Sequence, residues 1–137
     1  MKWRVLVSAP YMLPVLDRFR STFEANGIEL IVATVEERLE EDEILSQIDG
    51  IDGVICGDDR FSERVLKAAP SLKVISKWGT GIDSIDLAAA QSLGVRVYNT
   101  PDAFTQPVAD SVMGYVLSFA RRLPWMDRNM KSGQWKK

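Results

Sequence analysis

A doubly wound α/β sheet is the fold class that this 137-residue sequence predicts. Two observations lead to it. Short runs of apolar, largely β-branched residues recur along the chain, apolar on successive positions as strands buried on both faces are. Between them lie segments with helical spacing and helix end signals, so the chain alternates strand and helix throughout. The most economical architecture is a flavodoxin-like parallel sheet of five strands in the order 2-1-3-4-5.

The first strand is the run Trp3–Ser8. A helix follows, with Pro14 near its start, Leu16, Phe19 and Phe23 at helical spacing, and Asn26-Gly27 as its stop. Ile28–Ala33 is the second strand. A weaker helix from about Glu40 to Ile48 ends at Asp49-Gly50, and Gly53–Cys56 is the third strand. The third helix starts at Ser62, with Glu63 in its first turn, and ends before Pro70. After the fourth strand, Lys73–Lys77, the next helix carries Asp83 as N-cap, Asp86 three residues on and Gly94 as stop. Val95–Tyr98 is the last strand.

A fifth helix runs from near Pro107 to about Leu123. Val108, Val112, Tyr115, Val116, Phe119 and Leu123 form one stripe on it, yet Met113, Leu117 and Ala120 lie off that stripe. A surface helix shows one apolar face, so this one is expected to pack against two bodies. The tail adds Trp125, Met126, Met130 and Trp135, poor material for a solvated end. Both features point to a neighbour, either a second domain or a second subunit.

Composition excludes several classes. Hydrophobic residues make up 46% and charged residues 26%, with a net charge of −2. No basic patch suggests a nucleic-acid partner. No apolar run approaches the roughly 18 residues of a membrane helix, and the N-terminus enters a strand pattern at once, so neither a membrane span nor a signal peptide is expected. The one cysteine, Cys56, is compatible with a reducing cytosol and is expected to fill core space. Histidine is absent altogether. Histidine triads, most zinc sites and histidine proton transfer are therefore closed to these residues.

Sheets of this kind bind ligands outside the carboxyl ends of their strands, which directs attention to Ala9–Met12, Gly57–Phe61, Trp78–Ile82 and Asn99–Gln106. The turn Gly79-Thr80-Gly81 looks like the opening of a dinucleotide fingerprint, but Ser84 stands where a third glycine belongs. The two glycines allow a ligand close to the backbone, and the helix start that is expected after them favours a small anion. They equally suit a mere tight corner. Lys77 is a candidate countercharge and Trp78 a candidate wall, while Arg60, beside Asp58 and Asp59, is either a carboxylate clamp or part of a surface ion pair.

The run LKVISKWGTGIDSIDLAAAQSLGVRVYNTPDAFTQPVADSVMGYVLSFARRLP resembles the D-isomer-specific 2-hydroxyacid dehydrogenases, particularly their phosphoglycerate dehydrogenase branch. The likeness rests on G-x-G-x-D-x-x-D, then G-V-x-V-x-N-T-P, then a helix containing Ala-Asp. It is dense from Leu72 to Lys137 and looser back to Met1. The resemblance implies a two-domain NAD-dependent oxidoreductase acting on small 2-hydroxy or 2-keto acids in the cytoplasm. Residues 1–104 then correspond to the flavodoxin-like substrate domain. Residues 105–137 correspond to the helix and tail leading into the NAD-binding domain, which carries the catalytic arginine, glutamate and histidine. No catalytic residue and no metal ligand is expected among the 137 residues, which would be inactive alone.

By the same resemblance, Lys77, Trp78, Gly79, Thr80 and Gly81 face the interdomain cleft and hold the substrate carboxylate. Thr80 and Thr105 lie toward the nicotinamide end of the cofactor, and the 107–123 helix with the tail makes a homodimer. Many relatives carry arginine where Lys77 or Trp78 stands, and lysine is not an equivalent bidentate partner. The competing reading is a stand-alone flavodoxin-like binding or receiver-like module. Against a receiver, Ser8-Ala9-Pro10 and Asn99-Thr100-Pro101 occupy the places of its acidic cluster and lysine.

Overall fold

The computed structural model describes residues 2–134, so Trp135, expected in an apolar tail, lies outside the described residues. The chain divides into two compact units, Met1–Pro101 and Asp102–Lys137.

The first unit is built on the strands β1 (Trp3–Val7), β2 (Ile28–Val32), β3 (Gly53–Cys56), β4 (Val74–Lys77) and β5 (Arg96–Tyr98). They form one parallel sheet in the expected order β2-β1-β3-β4-β5. Register runs through Val5 opposite Leu30 and Gly53, Gly53 opposite Val74, and Val74 opposite Arg96. Alternate residues of the central strands serve opposite faces. Leu6, Val54, Cys56 and Ile75 join one apolar cluster, while Val7 belongs to another and Ile55 packs against it. Full burial of such side chains contributes about 1.5–3 kcal/mol each.

The first face is covered by α2 (Glu41–Leu45), α3 (Glu63–Lys67) and α4 (Leu87–Ser92), through Ile44, Val65, Leu66, Ala89 and Ala90. The other face is covered from the segment that follows β1, through Met12, Leu16 and Phe23. That segment is not the single α-helix expected there. Leu13–Arg18 is a 3-10 helix with Pro14 in its first turn, and α1 (Arg20–Ala25) follows after Phe19.

A second correction concerns the start of α4. Asp86, not Asp83, is its N-cap, and its carboxylate accepts from the Ala89 amide at 2.9 Å. The residues before it are taken by another partner. Phe61 donates its amide to the Ser84 carbonyl at 3.0 Å and accepts from the Asp86 amide at 2.9 Å, bridging Phe61 to Ile85. The segment from 82 to 86 is thereby pinned to the loop after β3, and it makes a turn there in which the Ile85 amide donates to the Ile82 carbonyl at 3.1 Å. Helix begins only at Leu87.

The second unit contains α5 (Thr105–Ala120) and α6 (Leu123–Lys131). The expected single helix to Leu123 is interrupted at Arg122, whose φ of 54° is left-handed, and Pro124 opens the next helix. None of the described residues of either helix is buried. Among the described residues, no helix is long and apolar enough to cross a membrane.

Candidate functional site

Three loops meet at the carboxyl ends of β1, β3 and β4. Close backbone approach joins the first two: a Cβ on Gly57 would stand 2.8 Å from Pro10 Cδ, so only glycine fits there. The Ser8 amide donates to the Ile55 carbonyl at 2.9 Å, and the Trp78 amide donates to the Cys56 carbonyl at 2.8 Å. The parallel ladder thus continues past the strand ends and fixes the loops on one rim.

Lys77 closes β4, and its side chain is only 4% exposed. A buried ammonium requires partners. It donates to the Gly57 carbonyl at 2.6 Å and pairs with the Asp58 carboxylate. The lysine stem passes beneath the glycine turn, since a Cβ on Gly79 would lie 3.3 Å from Lys77 Cε. Gly79 has a φ of +151°, a conformation that L side chains rarely adopt. The torsion favours glycine here, and the lysine stem would have to shift slightly for any side chain.

The turn is then tied to the loop after β5. Thr80 Oγ1 donates to the Thr100 carbonyl at 2.9 Å, Asn99 Nδ2 donates to the Thr80 carbonyl at 2.7 Å, and the Thr100 amide donates to the Gly79 carbonyl at 2.9 Å. The carbonyls of Gly79 and Thr80 are therefore engaged. Among the described residues, the amides of Gly79, Thr80 and Gly81 donate to no protein acceptor. Three consecutive free donors beside a buried lysine form an arrangement able to receive an anion. Trp78, 40% exposed, meets Phe19 edge-to-face with ring centroids 6.3 Å apart.

A dinucleotide cradle is not formed. The glycine turn is separated from the first residue of α4 by the segment pinned to Phe61, and Asp86 already caps that helix. The turn therefore does not run directly into a helix N-terminus, as a dinucleotide fingerprint does.

Asp59 went unrecognised as a structural residue in the sequence. It is fully buried, accepts from the Ser8 hydroxyl, and accepts from the Leu39 amide at 2.7 Å. Burial pushes its carboxyl above the usual range, against the hydrogen bonds from Ser8 and Leu39 that favour ionisation. Cys56, beside it in the core, has its thiol pushed up to about 12 by burial and, secondarily, by the Asp59 charge. Such a thiol is inert filling.

Arg60 forms a surface ion pair, the second of its two expected roles. Its Nε faces Glu40 at 3.2 Å, and Glu40 also receives Arg38 Nε at 2.7 Å. These arginines line a cleft of about 570 Å³ with Glu41, Phe61, Asp83 and Asp86, which includes none of the residues from Lys77 to Gly81. Thr105 belongs to the second unit, where it begins α5 and its hydroxyl stands 3.3 Å from Asp102 Oδ1.

Comparison with known proteins agrees with the motifs. Residues 5–126 match the family model described as the D-isomer specific 2-hydroxyacid dehydrogenase catalytic domain. A glyoxylate reductase of Thermococcus onnurineus is 34% identical over 120 residues, covering 82% of this chain and 36% of that protein. A hydroxypyruvate reductase of Thermotoga maritima is 33% identical over 137 residues, covering 99% of this chain and 42% of that one. The structure of a 3-phosphoglycerate dehydrogenase from Entamoeba histolytica, solved with NAD+ bound, superposes with a TM-score of 0.73 at 25% identity, over 86% of this chain and 39% of that one. The chain spans 24% to 42% of the length of the curated relatives that head the comparison.

Proposed function

The chain belongs to the D-isomer specific 2-hydroxyacid dehydrogenase family, and from that premise we propose that its first unit is the part that holds the acid substrate's carboxylate. The observation that carries this reading is the row of free amides at Gly79, Thr80 and Gly81 beside the buried Lys77 ammonium. A carboxylate with two oxygens has acceptor capacity for both kinds of donor. Charge-assisted bonds to such donors are the strong ones. The substrate class is a small 2-hydroxy or 2-keto acid, in keeping with the names of the relatives.

On this reading the whole protein is a cytoplasmic NAD-dependent oxidoreductase, and NAD would supply the hydride chemistry when bound. Thr80 contributes to the nicotinamide end only, since the glycine turn does not run into a helix N-terminus. Lys77 and the turn orient the acid by its charged end, which converts a diffusional encounter into a fixed geometry. The acid–base histidine that the resemblance implies has no counterpart in this sequence, which contains no histidine. Mixed with NADH and glyoxylate, the 137 residues alone are expected to leave the NADH absorbance unchanged, and a falling absorbance would contradict this reading.

Calorimetric titration tests the assignment. Glyoxylate is expected to bind, and glycolaldehyde, which lacks the carboxylate, is not. Lys77→Met should weaken glyoxylate binding about tenfold or more, the weight of one charge-assisted hydrogen bond. Equal binding of acid and aldehyde, or an unaffected Lys77→Met variant, removes the proposal.

The same reading assigns the second unit to a homodimer. Its support is the apolar surface of α5 and α6, where Val112, Val116, Trp125 and Met126 are all exposed.

A further inference from the structure

We infer that Asp58 is a built-in competitor for Lys77, occupying the ammonium that a ligand's carboxylate would use and so setting the site's affinity and its selectivity for full negative charge. The inference rests on the carboxylate reading of the Lys77–Gly81 turn and adds a residue that this reading does not contain.

The two partners of the ion pair are held very differently. Lys77 is 4% exposed and Asp58 is 76% exposed. The lysine cannot follow its partner, because its stem lies under Gly79 and its ammonium is also bound to the Gly57 carbonyl at 2.6 Å. Asp58 has no such restraint. Among the described residues its carboxylate has Lys77 as its only hydrogen-bond partner, and water replaces that partner when the side chain swings out.

The neighbouring carboxylate cannot take this part. Asp59 also faces Lys77 electrostatically, but it is buried and its oxygens are taken by Ser8 Oγ and the Leu39 amide. Lys77 therefore has one carboxyl neighbour fixed in place and one that is exchangeable. A ligand carboxylate that takes the ammonium and the free amides of the turn replaces a single ion pair with several bonds. A neutral carbonyl cannot displace Asp58, because it brings no charge to the buried ammonium.

The test follows the backbone amide spectrum of the 137-residue chain during titration with glyoxylate, in the natural protein and in Asp58→Asn. The expected result is movement of the Gly79, Thr80 and Gly81 amides in both, with glyoxylate bound about three- to fivefold more tightly by the variant, the scale of one solvent-exposed ion pair. Amide movement with unchanged or weaker binding in Asp58→Asn overturns the inference and leaves the carboxylate reading standing. Silent amides in both proteins overturn both. The natural protein supplies a second measure that does not depend on the variant folding. The Asp58 carboxyl carbon should shift along the same isotherm as the amides, and a stationary carbon beside moving amides also refutes the competitor role.

Discussion

Asn99 holds Thr80 from the neighbouring loop: its side-chain amide donates to the Thr80 carbonyl at 2.7 Å, across the ends of β5 and β4. The Thr80 hydroxyl returns the tie by donating to the Thr100 carbonyl at 2.9 Å. The glycine turn is thus fixed by its carbonyls and hydroxyl, which leaves its amides for a ligand. Asn99→Ala removes one of these bonds, at a cost of about 0.5–1.5 kcal/mol. Urea unfolding should show that loss, and calorimetry should show weaker glyoxylate binding. Unchanged binding would mean that the loop after β5 does not organise the turn.

Asp59 fastens the loop before α2 and the end of β1 to the end of β3. Asp59→Ala leaves the Ser8 hydroxyl and the Leu39 amide, both in buried residues, without their partner. The expected loss is about 1–3 kcal/mol in urea unfolding. A variant as stable as the natural chain would show that water replaces the carboxylate.

Stability against pH has two opposing contributions. The Lys73 ammonium at 2.7 Å and then the Arg4 amide at 3.0 Å hold the Asp52 carboxyl below the usual range. Its folded value lies below its unfolded one, so its contribution is present above the ordinary carboxylate value and is lost as pH falls through the folded value. Asp52→Asn should flatten that acid limb of the stability curve. Asp59 has the opposite sign: burial raises its folded value, so its ionisation works against the fold as pH rises through that value. An Asp52→Asn curve parallel to the natural one would exclude the Lys73 pair as the cause.

The apolar surface of α5 and α6 predicts self-association of the chain. Light scattering should report a dimer, and Val112→Glu with Val116→Glu should convert it to monomer without unfolding β1 to β5. Both valines are more than half exposed, so the substitutions disturb no core. A natural chain that is monomeric at every concentration would contradict the dimer.

The sheet was legible because its strands are runs of β-branched and apolar residues, and burial on both faces leaves few other patterns. Ser62 was likewise a readable helix start, since it stands as the N-cap of α3. Asp83 misled because a carboxylate before an apolar run is a valid cap anywhere. Its neighbours Ser84 and Asp86 are claimed by Phe61, more than 20 residues earlier, and no local pattern records that pairing. Arg122 was unreadable for a different reason: nothing in its identity announces a left-handed torsion, although Pro124 after it marks a new helix. Lys77 and the glycines stood out by position. Asp59 did not, because an aspartate in the run Asp58-Asp59-Arg60 reads as surface, and its burial depends on Ser8 and Leu39 from distant loops.

The most direct measurement compares two probes on the same amide spectrum, glyoxylate for the carboxylate and adenosine diphosphate for the pyrophosphate. Glyoxylate should move the signals of Gly79, Thr80 and Gly81, and adenosine diphosphate should leave them in place. Movement with the diphosphate and silence with glyoxylate would contradict the carboxylate site and return this turn to nucleotide binding.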